Sequence, residues 1–482
     1  MKTFKILFLT IISLLTLSCS EDVMDEINKE KNNALSMSSQ SMIPDIELRS
    51  AFETGATDIA WYASVYIEHN AGTWAQSYDQ DRRVGQTAGT LFNNNWVSGY
   101  SILETCKDII QKTGPEGDET NGFARGIAQV LSAYNLAMLT DMWGEVPWTE
   151  ALEGSENLQP VFDKQSAVYP EVIRLLDEGI ASFQGATNIS GVGDYIYDGD
   201  EEKWIKAAYA LKARFSLRLT NVDNQASTKA LAAVANAFEG AGDAMIFDVY
   251  EASAIGENPW YQFLNDRSHL SISQTLFNLM DDRNDPRIAV YFTQIDTSSD
   301  PNVEKLAYVP APSGQATQTQ GGIYSISLIT EEGRTAATPI MTYHELKFIE
   351  AEAKFRTSDA TWQAALQAAV EASFVYHGLT LAEGTAYFTT EVVPLLTAGN
   401  EIKEILTQKY IAEFEYEAIE AYNDYRRVPS FITLNNPNNL TANAGFVWRF
   451  PYPTSETASN SAHVPSISVF QNKVWWAGGT EN

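Results

Sequence analysis

The chain is poor in cysteine, in histidine and in positive charge, and it has no long hydrophobic run. Only two cysteines, Cys19 and Cys106, occur in 482 residues, so disulfides cannot hold the fold together. The five histidines are scattered, and neither a zinc-binding spacing such as HExxH or CxxC nor a phosphate-binding loop is present. The sequence therefore predicts a fold that is stabilised by packing.

The charge balance is strongly acidic. Lysine and arginine total 32 against 62 for aspartate and glutamate, which gives a formal net charge of -30. No basic cluster offsets this charge anywhere along the chain, so a nucleic-acid partner is not expected.

The N-terminus has the features of a lipoprotein export signal. Lys2 and Lys5 precede an apolar stretch over 6–17, and the small residue Ser18 stands directly before Cys19. The stretch is shorter than the roughly 20 residues that cross a bilayer. We therefore predict a signal peptide over 1–18, an acylated Cys19 that anchors the protein to a membrane, and a flexible polar stalk over 19–42.

Helical periodicity dominates the rest of the sequence. Apolar residues recur every three or four positions in segments 121–139, 168–183, 201–219, 343–356, 361–377 and 401–427. Such amphipathic helices must stack to bury their apolar faces. The predicted fold is mostly α, a helical-hairpin, tetratricopeptide-like scaffold with an irregular, loop-rich lobe and few short strands, although no 34-residue repeat is evident.

The predicted domain covers 43–482. Its helical lobe lies mainly in 43–220 and 340–430, and its loop-rich lobe lies mainly in 221–339 and 430–482, where Gly, Pro, Ser, Thr and Asn are frequent. Within 401–427, the charges of Lys409, Glu413, Glu417 and Glu420 predict a helix with a solvated face, and Arg426 or Arg427 is expected to pair with an acidic side chain in the core.

Two segments have the composition of a sugar-binding surface, in which aromatic faces are flanked by hydrogen-bonding side chains. The candidate residues of the first are Trp74, Tyr78, Asp81 and Arg82, and those of the second are Trp260, Tyr261, Asn265 and Arg267. Trp475 and Trp476 are a third candidate. Since aromatic side chains more often pack in a core, these residues are hypotheses.

Six strings together resemble one known family. They are YNLAMLTDMWGEVPWTEAL (134–152), EEKWIKAAYALKARFSLRL (201–219), DPRI (285–288), YHELKFIEAEAKF (343–355), ILTQKYIAEFEYEAIEAYNDYRR (405–427) and WRFPYPTSETASN (448–460). In this order, behind a lipoprotein signal, they resemble the SusD/RagB family and its SusD-like branch. The resemblance implies four tetratricopeptide-like hairpins and a surface lipoprotein.

The same resemblance implies that the protein docks on a SusC-like TonB-dependent transporter of the outer membrane and captures glycans, or in some members peptides, for import. The acidic residues that follow Cys19 resemble the signal for export to the outer face in Bacteroidetes, and an ordinary acidic tether is the alternative. The binding residues of the family lie in variable loops, so none is carried over to this chain.

Three functions are compatible with the sequence. The favoured one is non-enzymatic capture of a nutrient, a glycan or else a peptide, for a transporter; a glycoside hydrolase and a helical-repeat scaffold or adhesin are the alternatives. No cofactor is predicted apart from the lipid on Cys19. Asp194, Asp198, Asp200 and Glu201 offer carboxylates to calcium, but their spacing fits no EF-hand and favours a capped helix start.

Overall fold

The computed structural model describes residues 37–86, 89, 91–186, 193–329, 333–440 and 445–481. The predicted signal peptide, Cys19 and residues 20–36 of the predicted stalk lie outside these residues. The prediction that the stalk extends to residue 42 is wrong, because a helix begins at Ser39 and buries Ser39 and Met42. No helix of the described part is long and apolar enough to cross a membrane.

Helices make up most of the fold. In chain order they are α1 (Ser39–Arg49), α2 (Asp58–Tyr66), α3 (Ala75–Asp81), α4 (Asn93–Lys112), α5 (Gly122–Trp143), α6 (Gln165–Gln184), α7 (Glu201–Arg218), α8 (Ala226–Val234), α9 (Pro259–Arg267), α10 (Gln274–Asp281), α11 (Ile288–Tyr291), α12 (Tyr343–Arg356), α13 (Trp362–Tyr376), α14 (Leu381–Tyr387), α15 (Glu401–Ala412), α16 (Ala418–Arg427) and α17 (Thr454–Ser459). Two π-helical turns follow α1 and α14, at Ser50–Thr54 and Phe388–Val392.

The long helices form a stack in which each packs on the next. Helices α4 to α8 pack pairwise in chain order, α12 packs on α8, and α13 packs on α12. Helix α5 lies at the centre of this stack and is buried on nearly all sides. Its start is capped by Asn121, whose side-chain oxygen accepts a hydrogen bond from the Ala124 amide at 3.0 Å. The predicted helical-hairpin scaffold is confirmed.

The strands are few and short, as predicted. They are β1 (Asn70–Gly72), β2 (Met245–Phe247), β3 (Leu270–Ile272), β4 (Ile295–Asp296), β5 (Leu306–Ala307) and β6 (Thr338–Met341). They form three two-stranded antiparallel sheets among the described residues: β1 with β3, β2 with β6, and β4 with β5. Most of them lie in the irregular stretch between α8 and α12, and β1 ties this stretch to the N-terminal part of the chain.

The predicted helix over 401–427 is divided in two. Helix α15 ends at Ala412 and α16 begins at Ala418. Between them Glu415 adopts a left-handed backbone conformation with φ of 70°, which an α-helix cannot accommodate. Periodicity did not reveal the break because both pieces have apolar residues at helical spacing.

The prediction of a solvated face on this segment is wrong. Lys409, Glu413, Glu417 and Glu420 are all buried. The Lys409 ammonium lies 2.8 Å from the Asp424 carboxylate and 3.2 Å from that of Glu413. Helices α7 and α12 cover these groups and supply opposite charges, so the acidic residues face cations rather than water.

We call this cluster the buried ion network. It consists of Arg214 and Arg218 from α7, Glu345 and Glu352 from α12, Lys409 from α15, and Glu420, Asp424 and Arg427 from α16. Its ion pairs include Arg214 with Glu345, Arg218 with Glu420, and Arg427 with Glu352. The pairing of Arg427 confirms the predicted core ion pair. Burial alone would raise the pKa of the Asp424 carboxyl, but Lys409 and Arg427 bring it well below its usual value.

Candidate functional site

The two aromatic segments predicted to bind sugar are neighbours in the fold. Strand β1 directly precedes Trp74 and strand β3 directly follows α9, and the two strands pair with Gly72 opposite Leu270. The pairing continues beyond the strands, since the Thr73 amide donates a hydrogen bond to the His269 carbonyl at 2.9 Å. The backbone therefore brings Trp74 close to the end of α9, nearly 200 residues later in the chain.

A close backbone approach at Gly72 sets the position of helix α3. A Cβ atom at residue 72 would lie only 1.8 Å from the carbonyl oxygen of Ser77, so α3 can fold back over β1 only with glycine there. Ala75, directly after Trp74, has a φ of 46°. A left-handed alanine costs roughly 1 to 2 kcal/mol, and such strain is concentrated at functional sites. Trp74 thus lies on a tight and strained turn.

Trp74, Tyr78 and Arg82 present aromatic and cationic groups to solvent. All three are half-buried, so part of each side chain stays accessible. The guanidinium carbon of Arg82 lies 3.4 Å from the centre of the Tyr78 ring, and Arg82 Nη2 donates to the Ala316 carbonyl at 2.5 Å. This stacking fixes both side chains in one orientation.

A polar loop joins the two segments. In the stretch 311–324, the Thr319 amide donates to the Thr73 carbonyl at 2.9 Å, and Gln320 Nε2 donates to the Arg267 carbonyl at 2.9 Å. Gln320 and Arg267 are exposed. We call the surface formed by Trp74, Tyr78, Arg82, Arg267 and Gln320 the β1–β3 surface. Sequence reasoning missed Gln320, since nothing in its local sequence marks it as a neighbour of Trp74.

Asp81 does not belong to this surface. Its side chain is fully buried and accepts hydrogen bonds from the Gly314 amide at 2.7 Å and from Asn436 Nδ2 at 3.0 Å. Burial raises the pKa of its carboxyl to about 7, although Arg83 and the Gly314 amide act in the opposite direction. The prediction that Asp81 contacts a ligand is therefore wrong, and its role is to hold the 311–324 loop against α3.

Trp260 is also excluded from ligand contact. Its side chain is 0% exposed, because α9 turns this residue into the core. The start of α9 is fixed by Pro259 and by Asn258, whose Oδ1 accepts from the Trp260 and Tyr261 amides. Tyr261 is half-buried against the core, whereas Asn265, one turn later, is exposed. Only the end of α9 therefore contributes to the β1–β3 surface.

Trp475 and Trp476, the third candidate, lie in different environments, one at the surface and one in the core. Trp476 is fully buried and donates from Nε1 to Asp141 at 2.7 Å, with the Arg218 and Arg426 guanidinium groups packed on its ring. Trp475 is half-buried and lines a cavity of about 580 Å³ with Tyr169, Ile173 and Leu219. Only Trp475 can meet a ligand.

Within the described ranges no three His, Cys, Asp or Glu side chains are placed to hold a metal ion. Asp200 caps α7 by accepting from the Lys203 amide at 3.1 Å, which confirms the predicted capped start. The buried ion network encloses a void of only about 10 Å³, too small for a sugar ring.

Residues 32–453 match a SusD-like family that is described as starch-binding and associating with the outer membrane. A SusD/RagB family protein from Bacteroides thetaiotaomicron is 33% identical, with a TM-score of 0.84 over 92% of this chain and 100% of that chain. No curated protein matches.

More distant solved structures share the fold. A chitin-binding SusD homologue from Flavobacterium johnsoniae is 22% identical, with a TM-score of 0.73 over 91% of this chain and 98% of that chain. Another chitin-binding protein is 23% identical, with a TM-score of 0.76 over 91% and 99% of the two chains. The resemblance seen in the six sequence strings is confirmed.

Proposed function

Because the chain belongs to the SusD-like family, described as starch-binding and associating with the outer membrane, we propose that it captures a glycan at the β1–β3 surface. The observation that carries the proposal is the accessible aromatic pair of Trp74, on a strained turn, and Tyr78, on α3, with Arg82 stacked on Tyr78. Sugars offer apolar faces to such rings and hydroxyl groups to the surrounding polar side chains. The chitin-binding relatives support a glycan rather than a peptide as ligand.

The protein delivers its ligand to a transporter in this proposal. Acylation of Cys19 anchors it in the outer membrane, facing the exterior, and residues 20–36 provide a tether to the folded part. The partner is a SusC-like TonB-dependent transporter. Deletion of that transporter is then expected to leave the protein at the cell surface and to abolish glycan uptake.

Capture proceeds without catalysis. Hydrolysis of a glycosidic bond needs two carboxyl groups on either side of the bond in an accessible cleft. The carboxyls of Glu345, Glu420 and Asp424 are instead paired with cations inside the buried ion network. Their role is structural, and the β1–β3 surface binds its ligand by stacking and hydrogen bonding alone.

Calorimetry of the mature chain without its lipid tests the proposal. The ligands are soluble starch, chitin oligosaccharides, other soluble polysaccharides and mixed peptides. Saturable glycan binding is expected, and Trp74→Ala should weaken it at least tenfold, which corresponds to about 1.4 kcal/mol. Trp362→Ala is the matched control, because Trp362 is also half-buried but packs on Phe355 in α12.

Each other result has a defined meaning. Loss of binding in Trp475→Ala instead of Trp74→Ala would move the site to the Trp475 cavity. Binding of peptides alone would identify a peptide-capturing member of the family. Release of reducing ends during incubation would contradict capture without catalysis, and no binding of any ligand would reject the site.

A further inference from the structure

A concave surface lies at the other end of helix α9, away from the β1–β3 surface. It is a cleft of about 750 Å³ between α1, β2 and the loop 249–257. Leu48, Tyr195, Val249 and Ile255 line it with side chains that are 43%, 47%, 42% and 100% exposed. Large apolar side chains that are grouped and exposed in this way mark an interaction surface.

The loop that carries Ile255 is held in shape by its own backbone. The Glu251 amide donates to the Gly256 carbonyl at 2.7 Å, and the Ser253 amide donates to the Glu251 carbonyl at 2.7 Å. These hydrogen bonds close a tight loop with Ile255 near its tip. Since the isoleucine side chain is fully exposed, it adds nothing to the core, and its presentation to solvent needs another explanation.

The backbone next to the cleft is free to pair. Strand β2 ends at Phe247, which lines the cleft, and Asp248 and Val249 follow it. Within the described part of the chain, no backbone hydrogen bond joins Asp248 or Val249 to another residue. An incoming extended segment can use such free amides and carbonyls, as in the addition of a strand to a sheet edge.

The charge of the cleft is negative. Asp45, Glu53, Glu251 and Glu257 line it, and Arg49 is the one cation among the described lining residues. Glu257 is paired with Arg334 at 2.9 Å, so the negative charge comes mainly from the other three carboxylates. Arg49 is itself engaged, since it lies 3.5 Å from Asp45 and donates to Ser101 Oγ at 3.1 Å. An occupant that carries lysine or arginine would be attracted, and an acidic one would be repelled.

We propose that this cleft binds an extended segment of a partner protein that presents aliphatic side chains and at least one lysine or arginine. Leu48, Val249 and Ile255 are aliphatic and Tyr195 is aromatic among the exposed apolar side chains of the lining, and aliphatic side chains suit a peptide better than the flat faces of sugars. The cleft is distinct from the β1–β3 surface, because the nine residues of α9, about 14 Å of helix, separate Glu257 from Arg267. The inference does not depend on glycan capture.

The probes are two acetylated nine-residue peptides, one alternating valine and lysine and the other alternating valine and glutamate. Fluorescence polarisation with the mature chain should show saturable binding of the lysine peptide only. The double variant Leu48→Ser with Ile255→Ser should bind it at least fivefold more weakly. Both side chains are exposed, so the fold should survive. Leu381→Ser is the control, since Leu381 is 57% exposed on α14, away from the cleft.

A second pair of variants tests the charge. Glu53→Gln with Glu251→Gln should weaken binding of the lysine peptide, whereas Glu304→Gln, at an exposed glutamate outside the cleft, should not. Equal binding of both peptides, or wild-type affinity in the Leu48 and Ile255 double variant, would overturn the proposal. Displacement of the lysine peptide by N-acetylglucosamine oligomers, which carry no charge, would also overturn it, in favour of a sugar in the cleft.

Discussion

Charged and aromatic side chains are concentrated in two regions of this molecule, the buried ion network and the β1–β3 surface, and the two regions use them in opposite ways. In the network Arg214, Arg218 and Arg427 each face a carboxylate inside the core. At the β1–β3 surface Arg82 stacks on Tyr78 and donates to the backbone carbonyls of Tyr78 and Ala316, and Arg267 is exposed.

The difference separates residues that hold the fold from residues that can meet a ligand. A charge that is taken out of water needs a partner, so every cation in the network is committed to the structure. Half-buried rings and cations retain accessible faces and contribute little to packing. Substitutions in the network should therefore change stability, whereas substitutions at the surface should change binding.

The largest effect is expected for Arg214→Met. Arg214 Nε donates to Glu345 at 2.8 Å and Nη2 donates to the Ile340 carbonyl at 2.9 Å. Methionine keeps the apolar packing but leaves a buried carboxylate without its cation, which costs about 3 to 5 kcal/mol. Urea unfolding followed by circular dichroism measures this loss. Arg174→Met is the control, since Arg174 pairs with Glu171 and Glu178 at the surface and should cost under about 1 kcal/mol. Similar losses of stability in Arg214→Met and Arg174→Met would contradict the distinction between residues that hold the fold and residues at the surface.

The next effect depends on pH and concerns Glu417. Its carboxylate accepts from the Thr342 amide at 3.1 Å and lies 3.1 Å from His344 Nε2. Burial alone would raise the pKa of Glu417, but His344, Arg214 and Thr342 bring it to about 2. The unfolded chain has a pKa near 4.3, so this stabilisation is present above about pH 5 and is lost as the pH falls towards 2.

Glu417→Gln should remove that pH-dependent contribution. The variant is expected to be about 2 kcal/mol less stable than the wild type at pH 7, and the gap should narrow between pH 5 and pH 2. Urea titrations at a series of pH values measure it. A gap that stays constant over this range would show that the Glu417 charge does not stabilise the folded state.

Much of the helical framework could be predicted from the sequence because helical periodicity is a local property. The segments 201–219 and 343–356 correspond closely to α7 and α12, with Asp200 capping the former. Apart from the Arg427 pair, the buried ion network could not be predicted, since Lys409 and Glu420 have the spacing of a solvated face. Their burial depends on α7 and α12, which come from distant parts of the chain.

The candidate site shows the same limit. Trp74 and Trp260 occur in segments of similar composition, yet Trp74 is half-buried and Trp260 is wholly buried. Local sequence indicates which side chains could stack on a sugar, whereas their exposure depends on packing between elements. The pairing of β1 with β3 brings the two segments together into one surface. These strands are too far apart in the sequence for a local pattern to reveal that they pair.

Gly72→Ala should affect both the stability of the fold and the glycan affinity of the β1–β3 surface. The new methyl group would meet the Ser77 carbonyl, so α3 must shift at a cost of about 1 to 2 kcal/mol, and Trp74 and Tyr78 move with it. Both the unfolding midpoint and the glycan affinity should fall. Gly240→Ala is the matched control, because no atom lies within 4 Å of a Cβ at that position. Wild-type glycan affinity in Gly72→Ala would show that the turn does not position the binding residues.

The smallest effect is expected for Arg82→Lys, which tests whether charge or stacking matters at the β1–β3 surface. Lysine keeps the positive charge but cannot lay a planar guanidinium on the Tyr78 ring while donating to the Ala316 carbonyl. Glycan affinity measured by calorimetry should fall two- to threefold without a change in stability. Arg174→Lys is the control and should have no effect, since Arg174 lies on α6, outside the β1–β3 surface, and pairs with Glu171 and Glu178. Wild-type affinity in Arg82→Lys would mean that the ligand responds to charge alone, and the β1–β3 surface would then resemble the buried ion network more closely than its geometry indicates.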